Sequence, residues 1–80
     1  MIHRNDIIAR INERLRGQLS DAALAAWAFD LFYDIEQGEE EVDAIHRDVI
    51  ASALDELMFA DEEPFTLGDA DLHRLIARLE

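Results

Sequence analysis

The chain has 80 residues, and its 19 acidic side chains against seven basic ones leave a formal net charge of −12. Half of the residues are hydrophobic, which separates it from charged disordered chains. It has no cysteine, so disulfides, thiolate nucleophiles and cysteine-based zinc sites are excluded, and its charge argues against direct contact with a phosphate backbone.

Asn5 is placed to cap a first helix over about 6–16, in which Ile7, Ile8, Ile11 and Leu15 recur at helical spacing. Asp6 stands four residues before Arg10, the favourable order for an ion pair on one helix. Gly17 suits the position after the C-cap, where left-handed backbone ends a helix. Ser20 is a good N-cap for a second helix over about 21–37, with Asp21 in its first turn. Ala22, Leu24, Ala25, Ala28, Phe29, Leu31, Phe32 and Ile35 cover well over half of this helix. A helix so apolar is expected to be central and packed on several neighbours. Gly38 closes it.

Acidic residues 39–41 place negative charge where a third helix, about 40–60, would begin. Val42, Ile45, Val49, Ala53 and Leu57 form its apolar stripe, widened by Ile50, Leu54 and Met58. Pro64 then breaks the pattern, because the residue before a proline disfavours helical geometry. Phe65, Thr66 and Leu67 read as extended, with Phe65 or Leu67 tucked into the core. Gly68 and Asp69 open a fourth helix over about 69–79, with Leu72, Leu75, Ile76 and Leu79 on one side. No segment alternates with period two. The expected fold class is therefore all-α: a single domain, 1–80, arranged as a small four-helix bundle-like unit with short loops. The longest apolar stretch, residues 22–29, is too short to span a bilayer, and the N-terminus lacks the pattern of a signal peptide. With the lack of cysteine, this gives a cytoplasmic expectation and no membrane partner.

The charge is unevenly distributed. Residues 1–16 carry four arginines against two carboxylates, a net of +2, whereas residues 17–63 carry one arginine against 14 carboxylates, a net of −13. The basic first helix is expected to lie beside the acidic middle, within one chain or across a dimer. On the second helix, Asp30, Asp34 and Gln37 share a face, with Trp27 and Tyr33 on its two flanks. Aromatic anchors beside carboxylates suit a partner that offers arginine or lysine. A solvated face with both aromatics folded into the core is the plainer alternative. The acidic runs Glu39, Glu40, Glu41 and Asp43, and Asp61, Glu62 and Glu63, at opposite ends of the third helix, are further candidate contacts for a cationic partner, or simply a helix start and a solvated loop.

Catalytic chemistry is poorly supplied. Asp43 with His46, and Asp69 with His73, could each share a helix face, but no Glu-x-x-His motif of bundle di-metal sites is present. The hydroxyls of Ser20 and Thr66 suit caps and turns, Ser52 falls mid-helix, and no glycine-rich phosphate loop occurs. The expectation is a protein that is not an enzyme and has no cofactor, no metal and no nucleic-acid partner. A metal-dependent helical enzyme is the weakest alternative.

Gly17, Gln18, Leu19 and Ser20 followed by Ala26, Trp27 and Ala28 resemble a small group of acidic bacterial helical proteins. Leu54, Leu57, Ala60 and Asp61, and then Phe65, Asp71 and Leu72, continue the resemblance. Gly68 stands where that group usually has a serine cap. Some of those proteins are candidate immunity or antitoxin-like partners of secreted toxins, so the resemblance implies a partner-binding protein but assigns no functional residue. The expected function is a non-enzymatic interaction module for a basic protein surface, in one version an immunity-like inhibitor. The alternative is a self-associating homodimer or a subunit of a larger complex.

Overall fold

The helices begin and end where local caps dictate, with one exception. The computed structural model describes residues 1–62 and 66–80. Four α-helices are present among them: α1 (Arg4–Leu15), α2 (Asp21–Glu36), α3 (Arg47–Leu57) and α4 (Asp69–Leu79). A 3-10 turn, Ala44–His46, leads into α3, and an isolated parallel bridge joins Ile2 to Val42. The expected all-α, four-helix architecture is the observed one. Phe65 and Pro64, assigned above to the core and to a helix break, and Glu63 of the second acidic run, lie outside the described residues.

At the start of α1 the N-cap is His3 rather than Asn5. The Asp6 carboxylate turns back to accept the His3 N–H at 2.8 Å, satisfying one of the free donors of the first turn. Asp6 is thereby engaged in the cap, and Arg10 pairs with Glu13 at 3.0 Å instead. The α1 and α2 termini share one device. Gly17 and Gly38 both have φ of +78°, a region other residues enter at a cost. After α1, Gly17 N–H donates to Arg14 O and Gln18 N–H to Glu13 O; after α2, Gly38 N–H donates to Ile35 O and Glu39 N–H to Asp34 O. Both are Schellman closures, which occupy carbonyls that would otherwise lack partners. Ser20 caps α2 as expected, its Oγ accepting the Ala23 N–H at 3.1 Å.

The exception is α3, which starts several residues later than its charge pattern implies. The closure of α2 takes up the amides of both Glu39 and Glu40 on Asp34 O. The chain then runs extended beside the N-terminal arm: Ile2 N–H donates to Glu41 O at 2.7 Å and Asp43 N–H to Ile2 O at 2.9 Å. Asp43 Oδ1 accepts the Ile45 N–H and starts the 3-10 turn. Ile45, assigned above to the apolar stripe, is consequently 86% exposed, while Val42 packs on the core from the extended segment.

Each helix contributes to one core. Ile7 and Ile11 come from α1, Leu24, Ala28 and Leu31 from α2, Ile50, Ala53, Leu54 and Leu57 from α3, and Leu72, Leu75 and Leu79 from α4. Burying a Leu or Ile side chain stabilises a fold by about 1.5–3 kcal/mol. Leu67 packs partly buried against this core. The principal pairings are α2 with α3 and α1 with α4. Arg4 reinforces the second pairing, donating to Leu79 O at 3.1 Å and Glu80 O at 2.8 Å. Helix α2 packs mainly on α3 and less extensively on α1.

Candidate interaction surface

Helix α2 is apolar on two opposite faces, and among the described residues only one of them packs on the core. Leu24, Ala28, Leu31 and Ile35 face the core. Ala22, Ala26, Phe29 and Tyr33 follow at spacings of four, three and four, which places them on the reverse side. All four are exposed, Phe29 to 54% and Tyr33 to 55%. Phe29 is one of the apolar residues from which a central, many-sided α2 is expected, yet its ring stands 54% exposed.

The two flanking aromatics of the sequence reading part company. Trp27 is partly buried against the core, and the Arg10 guanidinium lies over its ring, 5.6 Å from the centroid. This is cation–π geometry. Tyr33 projects to solvent beside Asp30, which is also exposed, while Asp34 is half-buried. The carboxylates are therefore graded in availability. Glu39 and Glu41 are exposed, Glu40 lies 3.4 Å from the Met1 amine, and Asp43 is occupied by the Ile45 amide and stands 3.7 Å from His3 Nδ1. The run from 39 to 43 thus binds the N-terminal arm, and Asp30 with Tyr33 lies apart from it on α2.

A shallow groove adjoins the exposed face. Ala22, Ala25, Ala26 and Phe29 line one wall, and Met58 lines the other. Asp30, Asp61 and Glu62 complete its lining, and no basic residue is among the lining residues described. Sequence reasoning missed Phe29 and Met58. The signal that could have found Phe29 was the four-three-four spacing opposite the core stripe.

The basic residues of α1 have partners within the molecule. Arg14 donates through Nε to Asp21, and its Nη1 lies 3.7 Å from Asp69. The hydrogen bond to Asp21 is the main cause that raises the Arg14 pKa further, so this arginine ties α1 to the starts of α2 and α4. On α4, the Gly68 N–H and then Arg74 hold the Asp71 carboxyl below its ordinary value. Neither group faces the groove on α2.

Among the described residues no three His, Asp or Glu side chains are gathered as a metal site, and no helix is long and apolar enough to cross a membrane. No protein-family model, no curated protein and no solved structure matches this chain.

Proposed function

We propose that the protein is a non-enzymatic interaction module of the cytoplasm that binds a basic protein surface. One observation carries this reading. The segment with a net charge of −13 includes a helix that presents exposed Tyr33 and Asp30 on a face bearing no basic residue. Aromatic anchors rimmed by carboxylates suit arginine- or lysine-rich surfaces, and a field of one sign accelerates encounter with such partners. In an immunity- or antitoxin-like version, the acidic face would compete with nucleic acid for a basic toxin.

Affinity capture from nuclease-treated host lysate, washed at low and at moderate salt, identifies the partner. The double variant Asp30→Arg, Asp34→Arg then tests the surface. Association slows by about tenfold and its salt dependence flattens if these carboxylates steer the encounter. Unchanged association kinetics with the captured partner would remove this face of α2 from the reading.

A further inference from the structure

The shallow groove beside the outer face of α2 combines apolar side chains with a rim of carboxylates. We infer that it docks a cationic amphipathic α-helix of the partner, with Phe29 and Met58 as apolar contacts and Asp30, Asp61 and Glu62 as the charged rim. This inference rests on the reading that the protein binds a basic surface, and it names the element recognised. Three observations carry it.

First, α2 has the composition of a helix covered on both sides, yet Ala22, Ala26, Phe29 and Tyr33 on one side are exposed. A helix apolar on opposite faces is normally enclosed. Second, the exposed face carries two small residues and then two large ones at helical spacing, Ala22 and Ala26 before Phe29 and Tyr33. Alanines allow a facing helix to approach closely, and the aromatic side chains form a ridge that fits between its turns. Third, the rim is of one sign: Asp30, Asp61 and Glu62 are all exposed, and no arginine lines the groove among the described residues.

The same rim decides against a second copy of this chain. A two-fold dimer through the groove would bring each patch onto itself, setting Asp30, Asp61 and Glu62 against the same carboxylates. Like charges brought together at an interface oppose association. A helix with an apolar stripe and lysine or arginine beside it matches both parts of the groove, in the helix-in-groove mode of recognition.

The test uses two synthetic peptides of leucine and lysine, each about 18 residues, long enough for a helix to form on binding. One has its leucines at i, i+3, i+4 and i+7; the other has the same composition with the leucines spread around the helix. Each is titrated into the isotopically labelled protein and followed by amide NMR, with light scattering of the protein alone alongside. The inference expects the amphipathic peptide to bind about tenfold more tightly than its control, with shifts centred on Ala22, Ala26, Phe29 and Met58. Phe29→Ala then removes about that tenfold preference and leaves the binding of the control peptide and the melting curve unchanged.

Equal binding of both peptides, with shifts spread over Glu39 and Glu41, overturns the groove while the basic-surface reading stands. Binding of neither peptide at low salt overturns both. A dimer in light scattering that Phe29→Ala converts to a monomer assigns the groove to a second copy and likewise overturns the inference.

Discussion

The Arg10 guanidinium carbon stands 5.6 Å from the centroid of the Trp27 ring, so the basic first helix covers an aromatic residue of the most apolar one. Arg10 also holds Glu13, and its guanidinium is therefore anchored on two sides. Arg10→Ala should lower unfolding stability by about 0.5–1 kcal/mol, the range of exposed cation–π contacts. A urea titration followed by circular dichroism measures it. Repeating the substitution in a Trp27→Leu background should give a smaller loss; an equal loss would show that the two side chains are not coupled.

Leu54 and Phe29 are both large and apolar, but one is fully buried and the other 54% exposed. Leu54→Ala should cost about 2–5 kcal/mol through lost burial and the cavity left behind. Phe29→Ala should change stability by no more than about 0.5 kcal/mol, as surface substitutions do. Comparable losses in a thermal melt of the two variants would contradict the exposed placement of Phe29.

The glycines separate into two kinds. At Gly17 and Gly38 the backbone is left-handed and a Cβ would meet nothing within 4 Å, so Gly38→Ala is opposed by backbone conformation alone, about 1–2 kcal/mol. Gly68 has φ of −83° at the N-cap of α4, where a side chain is tolerated. Gly68→Ser should stabilise by a few tenths of a kcal/mol by supplying a capping oxygen. Chemical denaturation of the two variants should therefore shift in opposite directions.

Asp71 supplies the pH dependence of the α4 cap. Its carboxylate accepts the Gly68 N–H at 3.1 Å and pairs with Arg74, and both lower its pKa. A folded value below the unfolded one means that the contribution is complete above about pH 4 and disappears as pH falls through the folded value. The stability difference between the native chain and Asp71→Asn should be present near about pH 6 and shrink at about pH 2.5. A difference that is constant across that range would show that the charge has no part in the cap.

Local signals were legible in the sequence where the structure uses local contacts. Ser20, Gly17 and Gly38 act within a few residues of themselves, and the ends of α1 and α2 followed from them. The start of α3 did not. Glu39 and Glu40 look like a helix start, but their amides serve the end of α2, and Val42 is held extended by Ile2, some forty positions away. The candidate surface divides in the same way. Asp30 and Tyr33 are exposed on the expected side of α2, whereas the place of Trp27 depends on Arg10 from another helix. The exposure of Phe29 was not legible, because helical periodicity counts apolar faces without saying how many of them find a neighbour.

The pairing of α1 with α4 sets the order in which the nascent chain can become ordered. More than fifty residues separate Leu15 from Asp69. At about 5–20 residues per second, α1 is synthesised roughly 3–10 s before its partner. Helices α2 and α3, adjacent in sequence and packed together, need no later segment in order to associate. During that interval Ile7 and Ile11 lack α4, and α2 has only one covered side.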